Sequence, residues 1–186
     1  ARARNGGTEA DTGFAQMKSG ALGFPAASFD TIAISNALHH LPDFVDTFME
    51  ISRVLRSGGR FVFEEIYHDQ QSPPQETDIE LHHWVAAIDR ARGQTHNETY
   101  SRDELMVLIS ALDLHDVQTF DYAEQDSDPL DPEKIRRIDR AIDRLLRRTR
   151  ELPNGPVLQA KAESLRQRVH RVGYQPARRL MVIGEK

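Results

Sequence analysis

The sequence predicts an α/β protein: a mostly parallel sheet with helices on its faces and a helical hairpin near its end. Three observations carry this expectation. Residues 28–66 read as strand, helix, tight turn and strand, the pattern of a parallel crossover. Apolar runs at 114–122 and 179–184 supply later strands. Residues 132–174 repeat apolar side chains at helical spacing and break once, at Pro153-Asn154-Gly155-Pro156, as two antiparallel helices would.

Residues 1–12 are small and polar without periodicity and are expected to be coil or a mobile end. The run 29–35 is short, apolar and β-branched, as suits a strand covered on both faces. Residues 36–41 make a polar break, and Pro42 suits the first turn of a helix. Phe44, Phe48, Ile51 and Leu55 recur on one helix face, with Val45 and Val54 beside them. Gly58 and Gly59 are expected to end that helix, because glycine accepts the left-handed conformation of a C-cap. Residues 60–67 begin the next strand.

Residues 68–75 read as a polar loop containing Pro73 and Pro74, and 76–92 as a helix. That helix carries Ile79, His83, Ala86 and Ala87 on one side, with Trp84 and Ile88 close by. Ser101 and Glu104 make a capping-box pattern before the apolar face Leu105, Leu108, Ile109 and Leu112. Strand 114–122 alternates loosely through Val117 and Phe120, within a heavily acidic stretch, 98–131. Ile135, Ile138, Ile142, Leu145 and Leu146 form a stripe on an arginine-dense helix, and Val157, Leu158, Leu165, Val169 and Val172 support a second.

The 186 residues suit one domain, 1–186, with 132–174 as the hairpin. A net charge of −5 gives no global nucleic-acid signature, and without cysteine there is no disulfide, thiolate nucleophile or cysteine metal site. No apolar run is long enough to span a membrane and no signal-peptide pattern is present, so the expectation is a cytoplasmic protein without a membrane partner.

The residues SFDTIAISNALHHLPD followed by EISRVLRSGGRFVFEE resemble the second half of a class I S-adenosylmethionine (SAM)-dependent methyltransferase. The stretch is similar to the small-molecule methyltransferases of the ubiquinone-biosynthesis type, with Ser57 where they carry proline. The resemblance covers roughly 14–124 and 177–186. It implies a Rossmann-like, mostly parallel sheet with an antiparallel edge strand, and it makes the hairpin an insertion between the last two strands. The family's opening glycine-rich loop is missing, since no apolar strand precedes Gly6-Gly7. The first residue is Ala, and the resemblance begins in mid-fold. The sequence is therefore expected to be N-terminally incomplete: a fragment, an incompletely represented chain or a degenerate copy, in that order.

The resemblance implies SAM as cofactor and methyl transfer to a small-molecule acceptor. It sets Phe14 to Met17 as a strand and puts Met17, Lys18 and Ser19 at the adenine. Lys18 stands where the family has an acidic residue; an ammonium only donates hydrogen bonds, so the backbone of these residues would have to contact adenine. Ser35, Asn36, Ala37 and Leu38 would line the methionine side, at a strand's carboxyl end. Asn36 also suits a cap at the start of the helix.

His39 and His40 are candidate general bases, or belong to the turn that enters the helix and bond the backbone. Adjacent histidines on a helix point in different directions, so neither this pair nor His82 with His83 makes a metal site alone. All four could converge, but no spacing fixes their geometry, and no metal is assigned. Glu64 and Glu65 face opposite sides of a strand, so one could meet a ligand while the other is solvated. Tyr67 and His68 are candidates on the acceptor side.

Arg136, Arg137, Arg140, Arg144, Arg147, Arg148 and Arg150 are interleaved with Glu133, Asp139 and Asp143 and lack an aromatic platform. They read as a solvated face paired with the preceding acidic stretch, and no nucleic-acid partner is expected. The apolar stripe beneath could cover a cleft or make a homodimer. A noncatalytic, methyltransferase-like binding or dimerisation protein is the alternative: the missing loop and Lys18 favour it, and the intact 36–59 region favours the enzyme.

Overall fold

A computed structural model describes residues 2–4, 11–123 and 128–186. Strands β1 (Arg2–Arg4) and β2 (Asp11–Gly13) pair antiparallel as a small separate ribbon. The expectation of coil over 1–12 is thus corrected where the residues are described; Gly6 and Gly7 lie outside them. Phe14 to Met17 does not form the expected strand. A strand requires a hydrogen-bonded neighbour, and these exposed residues pair with none in the main sheet.

The crossover is as expected. Strand β3 (Phe29–Ser35) leads through a 3-10 turn (Leu38–His40) to α1 (Phe44–Val54), and α1 leads to β4 (Leu55–Ile66). β3 and β4 pair in parallel, with Ile32 opposite Phe61 and Ile34 opposite Phe63. Asp43 caps α1, accepting a hydrogen bond from Asp46 N at 3.1 Å. The cap expected of Asn36 is therefore supplied seven residues later.

Gly58 and Gly59 do not end α1. The helix stops at Val54, and the glycines lie inside β4 where its register against β3 shifts. Gly58 adopts φ +66, and a Cβ on Gly59 would meet Leu55 Cδ1 at 2.7 Å. The left-handed backbone that glycine permits thus serves a bulge instead of a helix cap.

Helix α2 (Pro73–Ala91) begins earlier than expected, since Pro73 and Pro74 occupy its first turn, where a missing N–H is harmless. Helix α3 (Arg102–Ser110) has the expected capping box: Ser101 N donates to Glu104 Oε2 at 2.7 Å, and Glu104 N to Ser101 Oγ at 3.2 Å. Strand β5 (His115–Tyr122), α4 (Pro132–Thr149), α5 (Gly155–Val172) and β6 (Arg179–Glu185) complete the chain. The sheet order is β3-β4-β6-β5, and β6 runs antiparallel to both neighbours.

One sheet face is the main core. Phe61 and Phe63 of β4 and Leu180 and Val182 of β6 are buried with Phe48 and Ile51 of α1 and Leu105 and Ile109 of α3. Each such side chain contributes about 1.5–3 kcal/mol of burial. Alternate residues face the other way, where Val62, Met181 and Ile183 are half-buried and Phe120 and Tyr122 are 47% and 40% exposed.

A second core lies among three helices. Trp84 and Ile88 of α2 pack with Ile138 and Ile142 of α4 and with Leu158, Leu165 and Val169 of α5. Trp84 Nε1 donates to Leu158 O at 2.9 Å. The hairpin stripe is thus buried by α2 as well as by its own second helix. Val157, expected to support that helix, is 71% exposed, and Val45 of α1 is also exposed. Asp78 ties the cores together, accepting from Tyr174 OH at 3.0 Å and from Ala177 N at 2.8 Å just before β6.

The expected pairing of α4 arginines with residues 98–131 is not the pattern described. Glu98 and Asp121 pair with Arg90 and Arg102, whereas α4 gives Asp139 and Asp143 to Arg166 of α5. Arg168 of α5 meets Glu76 and Glu80 of α2.

Candidate functional site

The carboxyl ends of β3 and β4 meet α2 at a cluster of imidazoles and carboxylates. β3 delivers Ser35 and then Asn36, whose φ of +47 is a left-handed conformation that asparagine tolerates. Asn36 N donates to Glu64 O at 2.8 Å, carrying the chain past the strand end. Ser35 and Asn36 are exposed, Ala37 is half-buried, and Leu38 is buried in the main core. Of the four residues expected at the methionine side, Leu38 is therefore turned into the core, with its N–H on Glu65 and its carbonyl on Leu41 N.

On the expected adenine side, Lys18 is exposed in a turn closed by Ala21 N donating to Lys18 O at 3.0 Å. Ser19 sits on α1, where Thr47 Oγ1 donates to its hydroxyl at 2.9 Å. Met17 Sδ accepts from Gly23 N at 3.3 Å. At the strand end Asn36 N is engaged by Glu64 O and Ser35 Oγ by Glu64 Oε2, so the exposed Asn36 side chain is what this end offers a ligand. The segment 17–19 supplies no carboxylate.

Glu64 and Glu65 face opposite sides, as alternation demands, yet neither is a solvated strand end. Glu64 accepts from Ser35 Oγ at 2.6 Å and pairs with Arg179 of β6. Burial alone would push its carboxyl up; the hydrogen bonds from Ser35 and Arg179 prevail and hold it below the usual range. Glu65 is fully buried. It accepts from Leu38 N at 2.8 Å, Ile66 N at 3.1 Å and His39 Nδ1 at 3.1 Å. A buried carboxylate needs such donors to offset its lost hydration.

The two histidines of the turn separate. His39 is buried and faces Glu65 instead of the backbone. His40 is exposed and lies 3.4 Å from Thr95 O through Nδ1, so the backbone role expected of at least one histidine falls to it. Asn97 N donates to His39 O at 2.7 Å, and Arg90 Nη1 donates to His96 O at 2.7 Å. These bonds fold the loop after α2 back onto the turn after β3.

His82 and His83 also diverge. His83 Nε2 meets Thr99 Oγ1 at 2.8 Å. His82 Nε2 meets His96 Nε2 at 3.2 Å, and His96 Nδ1 meets Asp89 Oδ2 at 2.9 Å. Burial, then the neighbouring imidazoles, push His82 down to about 3. His96 is also lowered by burial, although Asp89 opposes this. Ligand atoms of His39, His82 and His96 all lie within 4.8 Å of one another.

Asp89 and His96 are additions to the expected residues. Asp89 lies seven residues after His82, two turns along the same helix face, and that spacing was the available signal. Tyr67, expected on the acceptor side, is fully buried, and burial pushes its phenol up. It belongs to the main core because the residues around the strand end, Glu65, Ile66 and Tyr67, are all covered. His68 is exposed, with Nδ1 at 2.6 Å from Thr99 O. The open recess along α1, bounded by Phe44, Val45, Phe48 and Met49, contains neither histidine nor carboxylate.

Residues 1–63 match a family model described as a methyltransferase domain. The chain is 32% identical over 98 residues to the uncharacterized methyltransferase YcgJ of Bacillus subtilis (strain 168), covering 53% of this chain and 36% of YcgJ. It therefore spans little more than a third of that curated relative's length. The crystal structure of YcgJ is 21% identical, with a TM-score of 0.48 over 93% of this chain and 70% of that one. The crystal structure of the MccD protein is 12% identical, with a TM-score of 0.52 over 91% of this chain and 66% of that one, a likeness of fold.

Proposed function

We propose that this chain belongs to the class I SAM-dependent methyltransferases, a reading supported by the methyltransferase-domain match and the likeness to YcgJ, and that the whole protein transfers a methyl group from SAM to a small-molecule acceptor. The methyltransferase-domain match over 1–63 carries this reading, because it includes β3 and the strand end at Ser35 and Asn36. That end is where open α/β sheets place ligands. SAM, when bound, supplies a methyl group on a sulfonium, which an acceptor's lone pair attacks in line.

The chain's own part is to hold and align the reactants, and alignment alone lowers such a barrier substantially. Asn36 presents its exposed side-chain amide at the strand end, and Glu64 with Arg179 braces the strand beside it. Where an acceptor must lose a proton, His40 is the exposed imidazole of that turn. No helix among the described residues is long and apolar enough to cross a membrane. A nucleic-acid partner is not proposed, since acids (Glu133, Asp139 and Asp143) interleave the α4 arginines and no aromatic platform accompanies them. A homodimer remains part of this reading: Ile138 and Ile142 of the stripe are buried within the chain, while Ile135, Leu145 and Leu146 are half-buried.

The noncatalytic alternative is the weaker one, and calorimetry separates the two. The full-length protein should bind SAM or its demethylated product saturably, and Asn36→Leu should weaken that binding. Failure of the full-length protein to bind either compound would leave the noncatalytic role.

A further inference from the structure

We propose that His39, His82 and His96 form a binding site for one divalent first-row transition ion of zinc's class, fastening α2 and its following loop to the carboxyl end of β3. The three side chains come from separate segments: the turn after β3, the middle of α2, and the loop beyond it. Their ligand atoms already lie within 4.8 Å of one another. A tetrahedral zinc ion with Zn–N bonds of about 2.0–2.1 Å sets its nitrogens about 3.3 Å apart. The 3.2 Å between His82 Nε2 and His96 Nε2 matches that edge. His39, whose ligand atom lies within 4.8 Å of the other two, would move inward to complete the triangle.

The surroundings are those of a metal site. Glu65 holds His39 Nδ1 and Asp89 holds His96 Nδ1. A carboxylate accepts and does not donate, so each Nδ1 carries the hydrogen and each Nε2 keeps its lone pair. A carboxylate behind a ligating histidine fixes the ring and raises its basicity. His39 is 1% exposed and His96 4%, while His82 is half-buried, so two of the three ligands are shielded from bulk water. Calcium and magnesium require oxygen donors, and both carboxylates are turned to the imidazole Nδ1 atoms. Three neutral imidazoles suit zinc, cobalt, nickel or copper. The ring of His40 is centred 4.2 Å from that of His96 and 4.3 Å from that of His39, at the edge of the cluster.

Burial assigns the ion a structural task. It would join the turn of the main core to the helix of the second core, where the rings of His39 and His82, centred 4.6 Å apart, otherwise meet edge to face. The site does not depend on methyl transfer, and its test requires no SAM.

The full-length protein, stripped with a chelator and dialysed, is titrated with Zn2+ against a chromophoric competitor and with Co2+ in the visible. One equivalent should bind, with the visible bands of tetrahedral Co2+. His82→Asn and His96→Asn should each weaken binding roughly 100-fold or more, and Glu65→Gln roughly 10- to 100-fold. His83→Asn, whose ring faces Thr99, should change nothing. Zn2+ should raise the melting temperature of the stripped wild-type protein, and a chelator should reverse the rise. Absence of saturable binding by the wild-type protein would overturn the proposal however the variants fold. Retention of full affinity by both His82→Asn and His96→Asn would overturn it too, leaving a hydrogen-bonded histidine cluster.

Discussion

Glu65 shows how much one side chain can organise. Its two oxygens serve Leu38 N, Ile66 N and His39 Nδ1, so the turn after β3 is anchored to the end of β4 by a single buried carboxylate. Glu65→Gln preserves the volume but replaces one acceptor by a donor, leaving a buried N–H unpaired. The cost should be about 1–3 kcal/mol in urea unfolding of the metal-free protein; an unchanged midpoint would show the turn held by other contacts. The sequence allowed one ligand-facing carboxylate in the Glu64-Glu65 pair, and alternation put the two on opposite faces. It did not reveal that both are engaged, because Arg179 and His39 reach them from distant segments. Likewise, the divergence of His82 and His83 follows from helix geometry alone. The approach of His96 follows from the folding back of a loop, which no local period encodes.

Among the elements, the strongly periodic ones were legible and their ends were not. The β3–α1–β4 crossover, both hairpin helices and the capping box of α3 all follow from spacing. The end of α1 did not, because a glycine pair serves a helix cap and a strand bulge equally well until its partner strand is known. The start of α2 was missed for a similar reason: proline punctuates a loop and a first helical turn alike. Phe14 to Met17 was assigned by resemblance, and hydrogen bonding to a neighbour decided otherwise. The hairpin gives a clear contrast in energetics. Ile142 is 1% exposed between α2 and α5, whereas Val157 is 71% exposed. Ile142→Ala should cost about 2–5 kcal/mol, and Val157→Ala no more than about 0.5 kcal/mol. Denaturant midpoints measure both, and equal losses would contradict the burial of the stripe.

Across the whole molecule, ion pairs set the response to acid. Asp121 is lowered chiefly by its hydrogen bond to Arg102, and Glu64 is lowered by Ser35 and Arg179 against the effect of burial. For a carboxylate lowered on folding, the unfolded chain takes up the proton first. The stabilisation is therefore complete above the ordinary values of 3.8 and 4.5 and is lost as pH falls below them. Unfolding free energy should hold from pH 7 to about 5 on account of these two groups and then decline, at up to about 1.4 kcal/mol per pH unit per proton. Arg179→Met should flatten Glu64's share of that decline, and an acid limb identical to wild type would refute its assignment. The order of strands has a separate consequence, for synthesis. β6 lies between β4 and β5 yet is translated after both, with α4 and α5 intervening. A ribosome therefore releases β5 long before the strand that joins it to the sheet exists. Until then β4 and β5 each carry an unpaired edge, and nascent chains paused within the hairpin are the ones most in need of a chaperone.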